Sequence, residues 1–224
     1  MSGEMAPEPN LLDRLTPDEV ICVESFGPGV SSGGLRSDET SFIEGSVESR
    51  RREFAAVRSC AREALGALGA PVGSILPGPG GAPVWPDGVV GSMTHCAGFR
   101  AAAVAPSRRV YALGIDAEVN ERLPDGVASE IADPSEWARL DRLPDRGVAW
   151  DRLLFSAKES TFKCWYPATH RWVGFSDIVV DLDVSGSFKA RLSPGLARGA
   201  GFPRSVVRGR WGLLGTVVAT AVVL

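Results

Sequence analysis

The order of its elements constrains this chain most: twice, a long helix precedes a series of apolar strands. From Val47 to Leu68, "VESRRREFAAVRSCAREALGAL" places Phe54, Val57, Ala61, Leu65 and Leu68 at i, i+3, i+4 spacing. That period predicts an amphipathic helix, ended by Gly69 and Pro71. A second helix is expected from about Val148 to Tyr166, stopped by Pro167, whose ring blocks the turn before it and has no N–H to give. After the first helix, "GVVGSMTHCAGFRAAAVA" and "RRVYALGIDAEV" read as two apolar strands separated by the turn-like "PSRR". After the second, "IVVDLDV", "SFKARLSP", "VVRGRWGLL" and "TVVATAVVL" read as an antiparallel strand series. The expected fold class is therefore α+β with a two-lobed plan, residues 1–110 forming an N-terminal lobe and 111–224 a C-terminal one. No repeated sequence supports a duplication, so the division rests on element order alone.

Between these elements lie segments of another character. Residues 1–45 are acidic, and "GPGVSSGG" reads as a loop. "PVGSILPGPGGAPVWPDG" is rich in Gly and Pro, the composition of a loop that wraps a surface or ligand. Residues 120–147 are acidic and punctuated by proline, with a short helix expected after Asp133-Pro134.

Composition narrows the function classes. The formal net charge of −3 over 224 residues provides no global basic field, so nucleic acid is not expected as a partner. The longest apolar tract, "GLLGTVVATAVVL", falls short of the roughly 20 residues of a membrane-spanning helix. The N-terminus is acidic and broken by prolines, unlike a leader peptide, and a cytoplasmic protein without a membrane partner is expected. Cys22, Cys60, Cys96 and Cys164 show no CxxC spacing, which indicates reduced, buried cysteines rather than zinc ligands or disulfides.

Three constellations carry chemistry. Asp116 and Glu118, in "GIDAE", are two residues apart and share one face of a strand. Carboxylates that close repel unless a cation, such as a hard divalent ion, lies between them; the plainer alternative is a solvated strand end. The second helix carries "LLFSAKESTFKCWYP", which holds Lys158 and Lys163, two of only three lysines in a chain of 24 basic residues. Its periodicity aims Glu159 between Phe155 and the pair Phe162 and Tyr166, and a carboxylate in such surroundings needs a partner or a metal. The alternative is a surface pair with Lys163. In the first helix, Arg51, Arg58 and Arg62 form one stripe beside Arg50 and Arg52, either a solvated face or a groove wall for phosphates. Ser92, Thr94 and His95 follow in "GSMTHC". Acids, lysines and arginines together make the kit for metal-assisted reaction at a phosphate ester or anhydride.

These residues resemble the Sfp-type 4′-phosphopantetheinyl transferases, especially bacterial ones acting on siderophore, polyketide and nonribosomal peptide synthases. The resemblance lies in "GIDAE" at 114–118, "FSAKESTFK" at 155–163 and "GSMTHC" at 91–96, supported by "RRREFAAVR" and "PVWPDG", and spans roughly residues 47–175. It implies two similar α/β lobes with coenzyme A in the cleft between them. The implied activity is Mg²⁺-dependent transfer of the phosphopantetheine arm to a serine of an apo carrier protein, with Mn²⁺ as an alternative metal. Adenosine 3′,5′-bisphosphate would be released. The carriers would be the acyl or peptidyl carrier domains of fatty-acid, polyketide or nonribosomal peptide synthases. By similarity, Asp116, Glu118 and Glu159 would hold the metal, and Asp116, Glu159 and Lys163 would form the catalytic group. Ser92, Lys158 and Lys163 would meet the phosphates; Arg50, Arg58 and His95 would hold the 3′-phosphate and adenine. The loop before "WP" lacks the lysine that relatives often carry there, which shifts that work to the arginines. A two-lobed chain can supply both sides of the site as a monomer.

Two rivals remain on the residues alone. A metal-dependent nucleotidyltransferase also combines Gly-Ser with D-x-E, though its Gly-Ser lies closer to the acids than Ser92 does to Asp116. A catalytically inactive coenzyme A-binding or carrier-binding module would keep the cleft without the turnover.

Overall fold

The computed structural model describes residues 10–27 and 34–224, so most of the "GPGVSSGG" loop and the first nine residues lie outside the described residues. The first lobe runs β1 (Ile21–Phe26), α1 (Ser37–Thr40), α2 (Glu48–Ala67), β2 (Val89–Cys96) and β3 (Phe99–Pro106). The second runs β4 (Leu113–Val119), α3 (Ala128–Ile131), α4 (Pro134–Leu140), α5 (Trp150–Thr169), β5 (Ile178–Asp183), β6 (Ser187–Leu192), α6 (Pro194–Gly199), β7 (Val206–Leu214) and β8 (Val217–Val223). The strands form a three-stranded sheet, β1-β3-β2, and a five-stranded sheet, β4-β8-β7-β6-β5. All their pairings are antiparallel. In each lobe a leading strand pairs with the last strand, and a short helix precedes a long one. This is the α+β, two-lobed fold expected, with a leading strand in front of each helix.

The first long helix matches its period to within the capping residues. It closes in a Schellman turn: Gly69, at φ 72°, donates to Gly66 O (3.0 Å) and Ala70 donates to Leu65 O (2.9 Å), the pattern that glycine favours because it lacks a Cβ. The second helix runs past its expected stop, with Pro167 inside it and the end at His170, φ 54°. In the last turn proline forfeits a single backbone bond, and His170 N–H still reaches Tyr166 O at 2.8 Å.

Residues 88–105, expected as one strand, form a hairpin. Ala97 and Gly98 turn the chain, with Cys96 opposite Phe99 and Gly98 at φ 78°. Positive φ at the second turn position is the requirement that glycine meets without strain. β1 shows no alternation; its residues are almost uniformly half-buried, and its Glu24 carboxylate accepts the Leu11 and Leu12 N–H groups of the preceding turn. The C-terminal strand series forms as expected. Among the described residues no helix is long and apolar enough to cross a membrane.

Three apolar clusters hold the layers together. α2 covers the three-stranded sheet through Cys60, Ala61, Ala64 and Leu65, and α5 covers the five-stranded sheet through Leu154, Ala157 and Trp165. The third joins the lobes, packing Leu11, Leu12 and Leu15 with Phe99, Ile115 and Ala219. Burial of each such large side chain is worth about 1.5–3 kcal/mol, so the seam is a core in its own right.

Candidate active site

β4 sits at that seam, paired with β8 on one edge. Its other edge meets side chains rather than a strand. Ser92 Oγ accepts Ile115 N–H (3.1 Å) and Thr94 Oγ1 accepts Ala117 N–H (3.0 Å), so hydroxyls of β2 satisfy donors that would otherwise be buried without partners. Gly114 lets β4 approach α5. A Cβ there would overlap the Ser160 carbonyl oxygen and stand 2.5 Å from Cys164 N. The glycine of "GIDAE" therefore sets how near the acids of β4 come to those of α5.

Between the lobes lies a cavity of roughly 690 Å³. Asp116 and Glu118 reach it from β4; Phe155, Glu159, Phe162, Lys163 and Tyr166 reach it from α5. Arg50 and Arg58 come from α2, and Ser92, Thr94 and His95 from β2. The 77–83 loop forms a wall, held as a tight turn by Gly78 N–H to Ala82 O (2.7 Å) and Val84 N–H to Leu76 O (2.9 Å). Its Gly80, at φ 64°, lies against the Tyr166 ring, where no Cβ would fit.

The acids are electrostatically coupled. Asp116 is 4% exposed; its Oδ1 accepts from Lys163 Nζ (2.7 Å) and Thr94 Oγ1 (3.3 Å). Its Oδ2 is buried without a partner among the described residues. Glu118 Oε2 accepts from Arg152 Nη1 at 3.3 Å. Burial, reinforced by the Asp116 charge, pushes the Glu118 carboxyl up from 4.5 to about 7. Glu159 is raised by the same two causes, with Lys163 opposing. Among the described residues no three His, Cys, Asp or Glu side chains already stand close enough to enclose an ion. Like charges converge only around a cation, and here Lys163 and Arg152 each neutralise one acid separately. The donor set is nonetheless that of a hard divalent ion: carboxylate oxygens only, one of them orphaned and two with raised pKa values. Asp116, Glu118 and Glu159 fit such a metal.

The opposite wall is cationic. Arg50 Nη1 lies 3.3 Å from His95 Nε2, and Glu53 Oε2 lies 3.4 Å from the same atom. Burial lowers the His95 pKa, which favours the neutral ring, with Nε2 accepting from Arg50. Arg58 is almost buried. Its Nε donates to Ile75 O (2.8 Å) and its guanidinium stacks 3.1 Å above the Phe54 ring centre. Burial lowers it to about 10, still charged at neutral pH.

Most residues singled out in the sequence converge here, but Lys158 does not. It is 0% exposed, absent from the cavity wall and held on the far side of α5 by Ile131 O (2.7 Å), Glu136 Oε2 (2.7 Å) and Phe175 O (3.0 Å). Its neighbour Glu159 takes the cavity-facing position, and successive helical residues point about 100° apart, so the two cannot share a direction. Ser92 lines the cavity, yet its oxygen is engaged as an acceptor from β4. Arg62 leaves the arginine stripe for Glu39, to which its Nη1 donates at 3.0 Å. Arg152 is absent from the sequence reading although a signal exists: it lies seven residues before Glu159, two turns back on the same face.

A family model described as the 4′-phosphopantetheinyl transferase N-terminal domain matches residues 38–105, and one described as the 4′-phosphopantetheinyl transferase superfamily matches 112–211. The chain is 52% identical over 196 residues to the 4′-phosphopantetheinyl transferase Svp of Streptomyces mobaraensis, covering 84% of this chain and 79% of that one. It is 44% identical over 192 residues to the 4′-phosphopantetheinyl transferase PptT of Mycobacterium tuberculosis (84% and 85%). It is 43% identical over 193 residues to the 4′-phosphopantetheinyl transferase Npt of Nocardia iowensis (82% and 86%).

Proposed function

The chain belongs to the 4′-phosphopantetheinyl transferase superfamily, and on that premise we propose that it moves the phosphopantetheine arm of coenzyme A onto a serine of apo carrier domains. Adenosine 3′,5′-bisphosphate is the leaving product. The carriers belong to fatty-acid, polyketide or nonribosomal peptide synthases, siderophore assembly included. The observation that carries the reading is the wall-to-wall polarity of the cleft: three coupled carboxylates with an orphaned Asp116 oxygen on one side, Arg50 and Arg58 on the other.

The N-terminal lobe, residues 1–110, takes the nucleotide end, with Arg50, Arg58 and neutral His95 against the 3′-phosphate and adenine. The C-terminal lobe, residues 111–224, takes the pyrophosphate. Asp116, Glu118 and Glu159 would hold Mg²⁺ there, which when bound supplies positive charge to the pyrophosphate oxygens. Lys163 moves its ammonium from Asp116 toward the phosphate charge, and the hydroxyls of Ser92 and Thr94 stand beside it. Glu159 accepts the proton of the carrier serine as that oxygen bonds to the β-phosphorus. The bond from that phosphorus to the bridging oxygen breaks, and the electron pair leaves with the adenosine bisphosphate.

Incubation with coenzyme A, Mg²⁺ and an apo carrier domain should add about 340 Da to the carrier, the mass of the arm, by intact-mass measurement. Folded protein that binds coenzyme A but modifies none of a panel of carriers would leave a binding module instead. Asp116→Ala and Glu159→Ala should each remove turnover while the far-UV circular dichroism spectrum is retained.

A further inference from the structure

Lys158 stands in the middle of the stretch that supplies Glu159 and Lys163, yet every donor of its ammonium is spent inside the protein. The three acceptors come from three places: the end of α3 (Ile131 O), α4 (Glu136 Oε2) and the turn before β5 (Phe175 O). Glu136 is itself 2% exposed. Its Oε1 accepts Val180 N–H of β5 at 2.7 Å and its Oε2 also accepts Asp133 N–H at 3.2 Å. One side chain of α5 thus ties that helix to three neighbouring segments and, through Glu136, to β5 as well. We propose that the buried Lys158–Glu136 pair is a strut that fixes the rotation of α5 about its axis, making Lys158 a positioning residue for Glu159 and Lys163 and not a ligand of the substrate. The proposal rests on the transferase reading for the roles of those two residues.

The helix geometry gives the strut its leverage. Glu159 and Lys163 stand about 40° apart around the axis, whereas Lys158 is about 100° from one and 140° from the other. Anchoring Lys158 inward therefore turns both of the others toward the cavity. The anchor is stiff because a buried ion pair cannot be broken without leaving a charge unsolvated. It is also specific to lysine, whose compact ammonium carries three donors for three acceptors. Ser156 extends the same fixation on another side of α5, with its Oγ 3.0 Å from Thr220 Oγ1 of β8.

The first test needs no variant. Amine acylation of the folded wild-type protein, read by peptide mass spectrometry, should modify Lys163 and leave Lys158 untouched, with coenzyme A protecting Lys163 alone. Labelling of Lys158 that coenzyme A suppresses would overturn the proposal. The second test replaces both charges, Lys158→Met with Glu136→Gln, so that the new amide oxygen still accepts Val180 N–H and no charge is left buried. In this double variant Mn²⁺ affinity in the presence of coenzyme A, read by electron paramagnetic resonance, should fall about tenfold or more, as expected when a support of a metal ligand is lost. kcat should fall with it, while the directly measured Kd for coenzyme A changes less than the Mn²⁺ affinity does. Mn²⁺ affinity and kcat both within twofold of wild type would overturn the strut, as would a selective tenfold loss of coenzyme A affinity. Labelling decides the matter if the double variant does not fold. Neither labelling nor Mn²⁺ binding depends on turnover, so absence of transfer by the wild-type protein would sink the transferase reading without touching these outcomes.

Discussion

Glu39 in the N-terminal lobe and Glu136 in the C-terminal lobe occupy matching places. Each is the third residue of a short helix, reaches back to the N–H of the capping residue (Arg36 or Asp133), and accepts a second N–H from a later segment (Ile75 or Val180). Each is buried and holds a cation from the long helix that follows: Arg62 for Glu39, Lys158 for Glu136. The duplication that no sequence repeat reveals is therefore visible in how the lobes are pinned. They differ in what the pin presents. Beside Glu39, at 4.0 Å, lies Arg58, whose guanidinium also lines the cavity, so the N-terminal pin continues into the proposed nucleotide wall. Lys158 is wholly internal, so the C-terminal pin reaches the chemistry only through the angle of α5.

Removing each pin should separate these jobs, and the effects are the largest expected. Glu39→Ala leaves Arg58 and Arg62 without their buried counter-charge, which costs about 3–5 kcal/mol; chemical denaturation should show the loss, and coenzyme A binding by the remaining folded protein should weaken. Glu136→Ala strands Lys158 at a similar cost, yet coenzyme A binding by its folded fraction should stay close to that of wild type. Equal loss of coenzyme A affinity in both would erase the distinction between the lobes.

Two closely packed glycines give the next effect, Gly114 between β4 and α5 of the C-terminal lobe and Gly80 where the N-terminal lobe meets Tyr166. Gly114→Ala drives a methyl group into the Ser160 carbonyl and the Cys164 amide. Backbone cannot yield there, so a cost of about 3 kcal/mol or more and a collapse of kcat are expected. Gly80→Ala meets only the ring of Tyr166, a side chain that can move, and the φ of 64° adds about 1–2 kcal/mol of strain. Stability should fall less, with the change confined to ligand KM. A milder effect from Gly114→Ala than from Gly80→Ala would mean that the β4–α5 approach is not what sets the site.

The ease of reading the sequence differs between the lobes for physical reasons. In α5 Glu159 and Lys163 stand one turn apart on the cavity face, so for those two period and chemistry agree. β4 announces itself through alternating Asp116 and Glu118. The N-terminal lobe hides more: β1 is half-buried on both faces and lacks alternation, and Glu39 lies in an acidic stretch where nothing local marks it as buried. The Ala97-Gly98 turn is concealed because apolar residues flank it on both sides. Lys158 misleads because its place in the motif suggests a phosphate ligand, while the acceptors that claim it come from segments distant in sequence. Tertiary partners decide these cases, and a local period does not encode them.

The smallest effect distinguishes the lobes by pH. On the C-terminal side Glu118 is raised from 4.5 to about 7 by burial and Asp116. A raised acid favours the folded state fully below 4.5, and that contribution is lost as pH climbs through 7. On the N-terminal side burial lowers His95 below its usual 6.5. A lowered base favours folding above 6.5, and that contribution is lost as pH falls through the folded value. The two contributions have opposite slopes and so partly offset each other in the wild-type protein. Single variants should expose each slope. Glu118→Gln, relative to wild type without metal, should gain stability progressively from pH 5 to pH 8, because it removes a charge that is costly only when ionised. His95→Asn should show the reverse, its advantage growing as pH falls below 6.5. Saturating Mg²⁺ should shrink the Glu118→Gln advantage and leave that of His95→Asn unchanged, since a cation compensates acids and not the histidine. Parallel slopes in the two variants would show that the cleft titrates as one unit and that the lobes share a single electrostatic environment.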